Sequence, residues 1–257
     1  MCHAGFTWVS HGQWTYLDRV ATVTTQQAPR RAPKTGWLNL SVIKKAVMAV
    51  TGIIMIAYLI AHMIGNLHAF QGAEEYNHYA TWLRTVGEPA LPRRTILTII
   101  EIVLVLSVLG HMWAAFSLWA QARRARPVRY VTKKKKRVQQ SYASRTVRWG
   151  GVIILAFIIY HILDMTTGTV NLAGGNSEPY DRLIASFTNP WVTIFYVISL
   201  LLLGFHLRHG IWSATQTLGQ TNKRRERAVN ALAYVISTLL TVGFLLVPLS
   251  IAFGLID

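Results

Sequence analysis

The sequence predicts an all-α protein, a polytopic membrane bundle of five transmembrane helices with its N-terminus in the cytoplasm. Three observations predict it. Five stretches, about residues 41–70, 94–122, 147–167, 190–217 and 228–255, are apolar enough and long enough to cross a bilayer, which takes roughly 20 residues of helix. Hydrophobic residues make up 52% of the 257-residue chain and charged residues only 14%, a membrane composition for a single multi-helix domain. The charges also alternate in sign balance from one connection to the next, which is a topology signal.

Residues 1–36 form a polar cytoplasmic tail, rich in Thr, Gln, Ala, Pro and Arg after four aromatics, and the membrane domain is predicted over 37–257. The tail has no apolar core of the kind a secretory signal carries. Span I is entered through Lys44 and Lys45, and Gly52 and Gly65 within it let a neighbouring helix come close. The connection that follows balances Glu74, Glu75 and Glu88 against Arg84 and Arg93. Span II leads into residues 121–148, with eleven Lys or Arg and no Asp or Glu. After span III a short segment, GGNSEPYDR, is acidic to neutral; after span IV the turn NKRRER is basic again. The positive-inside rule therefore puts the N-terminus and the II–III and IV–V connections in the cytoplasm, and the C-terminus outside. A formal charge of +16 would suggest nucleic acid in a soluble protein. Here the cations sit between apolar spans, and the run Lys133–Arg137 reads as a topology determinant that meets lipid headgroups, with no nucleic-acid partner. The lone Cys2 permits neither an intrachain disulfide nor a CxxC metal site.

The spans carry one histidine each in four cases: His62, His111, His161 and His206. An imidazole among lipid tails is costly and marks a functional site by default. A lone case is also explained by a hydrogen bond to a neighbouring helix, but four dealt one to a span are not. Neutral imidazole is an axial ligand for haem iron, and facing helices of a bundle are where such sites are built.

Depth sorts the four. His62 and His161 come 17 and 16 residues after Lys45 and Arg145, on helices that start inside. His111 and His206 each come 17 residues after Arg94 and Asn189, on helices that start outside. At 1.5 Å per residue each has travelled about 25 Å into a hydrocarbon core about 30 Å thick. The sequence thus proposes two stacked sites, His111 with His206 in the inner half and His62 with His161 in the outer half.

Several motifs then carry a resemblance. Span I reads KKAVMAVTGIIM running into AHMIGNLHAFQG, followed by NHYATWLR; span III has SRTVRWGG and then IIYHI; span IV has GFHLRHGIWSATQTLG. Together with His111, these resemble the five-helix, di-haem cytochrome b membrane anchor of succinate:quinone oxidoreductases and fumarate reductases, over most of residues 37–257. The resemblance implies two haem b groups ligated by the same four histidines in the same pairs. It further implies a multi-pass protein of the bacterial cell membrane. A flavoprotein subunit with FAD and an iron–sulfur subunit with its clusters would dock on the cytoplasmic face, and the quinone would be menaquinone. Electrons would go from the iron–sulfur subunit to the inner haem, then to the outer haem or quinone. Fumarate-reducing members carry an acidic residue two positions before the span IV histidine. Here that residue is Gly204, which favours succinate oxidation.

Alternatives stay open beside this reading. One histidine pair would suit an iron–sulfur centre only if other ligands completed it, because a Rieske-type centre needs two cysteines as well. The same family includes fumarate reductase anchors, and formate dehydrogenases and hydrogenases have di-haem anchors of their own. A proton-coupled transporter using histidines as relays is the rival from a different class. Arg208 and His209 are either an interfacial pair that snorkels or contacts to a haem propionate or quinone. Glu101, Asp164 and Glu75 are either polar caps at the outer boundary or proton-transfer groups for the quinone, with His68 and His78 weaker candidates. Trp82, Trp113, Trp119 and Trp191 read as interfacial aromatics.

Overall fold

The computed structural model describes residues 40–125, 138–217, 219 and 223–257. The tail 1–36, with Cys2, His3 and His11, and the run Lys133–Arg137 lie outside the described residues. The described elements are helices: α1 (Ser41–Leu67), α2 (Ala73–Thr85), α3 (Thr95–Arg124), α4 (Val138–His161), α5 (Pro179–Thr188), α6 (Pro190–Thr217) and α7 (Lys223–Ala252). A 3-10 turn, His68–Gln71, prolongs α1, and a π-helical turn, Ile162–Thr166, prolongs α4. Five of them contain a stretch long and apolar enough to cross a membrane, bounded at Ser41–Gln71, Thr95–Arg124, Val147–Thr166, Pro190–Thr217 and Glu226–Ala252. These are spans I to V, carried by α1, α3, α4, α6 and α7.

Two segments differ from a reading as plain connections. Residues 73–85 and 179–188 fold as the short helices α2 and α5. The second has a physical signature at helical spacing: Pro179 opens it, where a missing N–H costs nothing, and Tyr180, Leu183 and Phe187 form its buried stripe. α2 and α5 pack together at one end of the bundle. There the Tyr180 amide donates to Asn77 Oδ1 at 3.0 Å and its hydroxyl donates to the Asp257 carbonyl at 3.0 Å. Tyr76, between these two helices, is pushed up to about 12 by burial, with the Arg182 guanidinium opposing. It is therefore a neutral phenol at any physiological pH.

The spans are apolar on the outside, as helices in hydrocarbon must be. α3 exposes Ile99, Ile102, Val105, Leu106 and Leu109 while burying Ser107 and Ala114. With no hydrophobic drive between helices in lipid, close packing through small residues and polar contacts holds them. A Cβ added at Gly65 would meet the Tyr79 ring at 2.8 Å, and one at Gly204 would overlap the Thr241 hydroxyl of α7. At the end opposite α2 and α5, cations lie over aromatic rings: Lys44 over Trp113 at 5.9 Å, Arg123 over Trp119 at 5.0 Å and Arg208 over Tyr234 at 3.7 Å. Such pairs suit a membrane interface, although Lys44 is buried.

The helix pairs in close backbone contact are I–II, I–IV, I–V, III–IV and IV–V. Neither I–III nor II–IV is among them. Those two diagonals carry the histidine pairs.

Candidate functional site

The rings of His62 of α1 and His161 of α4 meet across one diagonal, with centroids 5.8 Å apart and planes at 82°. His111 of α3 and His206 of α6 do the same across the other diagonal, at 6.2 Å and 62°. Two imidazoles that bind one metal from opposite sides, with bonds of about 2 Å and ring centres about 1 Å further back, have centroids about 6 Å apart. Both pairs have that spacing. Among the described residues no group of three or more His, Cys, Asp or Glu comes together. Each pair would offer a metal two imidazole nitrogens from two different spans, a donor set that fits haem.

The two sites are separated along the bundle. Gly52 of α1 lies beside the His111 ring, its Cβ position 3.7 Å from His111 Cε1. His62 is ten residues further along the same helix, or about 15 Å. Gly151 of α4 lies beside His206 Cε1 in the same way, at 3.7 Å. Phe244 and Tyr58 flank His62, and Phe157 flanks His161, at centroid distances of 5.8, 5.2 and 5.7 Å. Apolar rings like these exclude water from the space between the imidazoles.

Hydrogen bonds fix which nitrogen is free. Thr51 Oγ1 donates its proton to the Val47 carbonyl at 2.7 Å, and lies 3.2 Å from His111 Nδ1. A hydroxyl has one proton, so Oγ1 accepts from Nδ1–H, and a neutral His111 then keeps its lone pair on Nε2. The same logic holds at His161. Tyr196 donates to Asp164 Oδ2 at 2.8 Å and lies 3.3 Å from His161 Nδ1, which makes the phenol oxygen the acceptor and leaves Nε2 free. Nδ1 of His206 is buried with no hydrogen-bond partner.

Asp164 is 1% exposed. Besides Tyr196, its carboxylate accepts from Asn171 Nδ2 and Ser186 Oγ on Oδ1, each at 2.8 Å. Three local devices bring these groups together. The π-helical turn closes with the Thr167 amide donating to the Ile162 carbonyl at 2.9 Å and extends α4 past His161. Gly168 then reverses the chain at φ +66°, with Gly174 and Gly175 so near that a Cβ would meet Gly175 Cα at 2.6 Å. That turn returns Asn171 to the carboxylate, and Asn171 Nδ2 also donates to the Arg182 carbonyl at 3.0 Å.

The other carboxylates are placed differently. Glu101 is half-exposed and pairs with Arg94 at 3.5 Å; Glu75 is exposed on α2. His68 stacks on Tyr79 at 4.5 Å and His78 is exposed. Arg208 sits on Tyr234, and His209 is 6.2 Å from the Trp212 ring. Of these, His209 lies close enough to His206 on α6 to act on it electrostatically. The residues that a reading of the sequence misses are Thr51 and Tyr196. A threonine bonded to its own helix and a tyrosine in span IV carry no spacing signal that ties them to His111 or His161.

Fold and site together define a multi-pass helical membrane protein whose diagonal spans meet through paired imidazoles. Comparison with known proteins finds two likenesses. The sequence model of the succinate dehydrogenase/fumarate reductase transmembrane subunit family matches residues 121–247 of the chain. The match spans His161, Asp164, Tyr196 and His206. The chain is also 26% identical over 183 residues to the succinate dehydrogenase cytochrome b558 subunit of Bacillus subtilis (strain 168), covering 70% of this chain and 80% of that protein. No solved structure matches the chain.

Proposed function

We propose that this chain is the di-haem cytochrome b anchor of a succinate:quinone oxidoreductase, joining an iron–sulfur subunit and its flavoprotein partner on the cytoplasmic face to a quinone in the membrane. The observation that carries the proposal is the pair of imidazole spacings, 5.8 and 6.2 Å, each between helices that are not closely packed. The name of the Bacillus subtilis relative, a cytochrome b558, supports it. When bound, haem supplies a one-electron iron couple. The chain's own part is to present Nε2 of His62, His111, His161 and His206, to fix the ring orientations, and to keep water out.

The charge pattern supports placing the basic end of the bundle in the cytoplasm. The His111–His206 pair is then the inner site and the His62–His161 pair the outer one. Quinone chemistry needs protons, and Glu101 and Glu75, at the end capped by α2 and α5 and open to water, are fitted to exchange them. Asp164 is enclosed by three donors and is better suited to holding a hydrogen bond in place. Menaquinone as the quinone, and succinate oxidation as the direction, follow from the family resemblance. Gly204 supports the second, because its contact with Thr241 leaves no room for an acidic side chain.

The test is isolation of the intact complex. The expected preparation contains a flavoprotein and an iron–sulfur subunit, two haems per copy of this chain, and a reduced b-type absorption band. A colourless preparation would favour the transporter reading, and an active complex without a flavin subunit would sink the succinate assignment.

A further inference from the structure

We propose that Tyr196, held by Asp164, is the positioning residue for the outer ligand His161, and that it sets the electron donation of that imidazole toward iron. The inference rests on the haem-ligand reading above. Its basis is the direction of each hydrogen bond. Asp164 accepts from Asn171, Ser186 and Tyr196, so the Tyr196 proton lies toward Oδ2, 2.8 Å away. The phenol oxygen is then turned toward His161 Nδ1 at 3.3 Å as an acceptor. The chain runs from carboxylate to phenol to imidazole, and its far end is the free Nε2.

The arrangement is fixed by its surroundings. Tyr196 is 3% exposed and is packed edge-on by Phe157 at 5.0 Å and Phe187 at 4.9 Å, so its ring has one orientation. Asp164 is fixed in turn by Asn171 and Ser186. An acceptor on the distal nitrogen of a metal-bound histidine sets its tautomer and raises its basicity. A more basic ligand favours the oxidised iron, so this network lowers the reduction potential at the His161 site. His111 has the neutral Thr51 hydroxyl in the corresponding place, at 3.2 Å, with no carboxylate recorded behind it. The Tyr196–Asp164 unit therefore acts on one site and leaves the other alone.

The test uses the purified complex in four forms: unaltered, Tyr196→Phe, Asp164→Asn and His161→Ala. Redox titration with optical and electron paramagnetic resonance detection resolves the two haem components. Tyr196→Phe keeps the packing ring and removes only the hydroxyl. It should move the outer component's potential upward, change that component's low-spin resonance and weaken haem retention there about tenfold, with the inner component unmoved. Asp164→Asn keeps Tyr196 as an acceptor and should shift the same component the same way by less. The proposal is overturned if Tyr196→Phe leaves the outer component unchanged, or if both components shift or vanish together, which is what a purely structural role produces. Failure of the underlying ligand assignment looks different: His161→Ala would then retain both components.

Discussion

Thr51 Oγ1 is 3.2 Å from His111 Nδ1 while its own proton is committed to a carbonyl one turn earlier in the same helix. The contact links span I to span II at the histidine itself. It also defines a prediction. Thr51→Val removes the acceptor with little change of shape, and His111 is left with its hydrogen bond to the Met48 backbone alone to hold its orientation. The His111–His206 haem should be retained about tenfold less well, and the His62–His161 haem should be unaffected. Haem content and resolved spectra of the purified variant check this; loss confined to the His62–His161 component would contradict it.

Gly204 makes the second prediction. Adding a methyl group there meets the Thr241 side chain, and overpacking of this kind costs about 1–3 kcal/mol. Gly204→Ala should lower the thermal stability of the complex, and Thr241→Ala should restore part of the loss. Two additive destabilisations in the double variant would show that the α6–α7 contact is not what limits residue 204.

Topology gives the third. With the basic connections in the cytoplasm, a cysteine placed at Asn176 should react with an impermeant thiol reagent in intact cells, after Cys2 has been replaced. One placed at Lys134 should react only once the cells are opened. Labelling at Lys134 in sealed cells would reverse the orientation and exchange the inner and outer assignments.

How far the sequence shows all this depends on the kind of signal each residue leaves. The five spans are legible because hydrocarbon admits nothing but long apolar helix there. His62, His111, His161 and His206 stand out as candidates because an imidazole in such a stretch is expensive, and counting residues from the charged entries gives them depth. The helices α2 and α5 are short and polar on one face, so their segments look like connections until the stripe of Tyr180, Leu183 and Phe187 is weighed. Asp164 is visible three residues after His161, but its role is not. Its partners Asn171, Ser186 and Tyr196 arrive through the π-helical turn, the reversal at Gly168 and a separate helix. Tertiary contacts of that kind have no period. Thr51 is hidden for the opposite reason, since its local bond to Val47 looks like that of any helical threonine.

The central claim is that the four histidines act as two diagonal pairs of metal ligands. It is tested most directly by redox-resolved spectroscopy of the complex carrying His62→Ala, His111→Ala, His161→Ala or His206→Ala. An apolar site cannot readily replace a lost imidazole with water, so removing either member of a pair should remove its haem. His111→Ala and His206→Ala should erase one and the same component, and His62→Ala and His161→Ala the other, with the remaining component intact in each. If His62→Ala and His111→Ala erased the same component and spared the other, the diagonal pairing would be wrong. If all four variants kept both haems, these histidines would not be ligands.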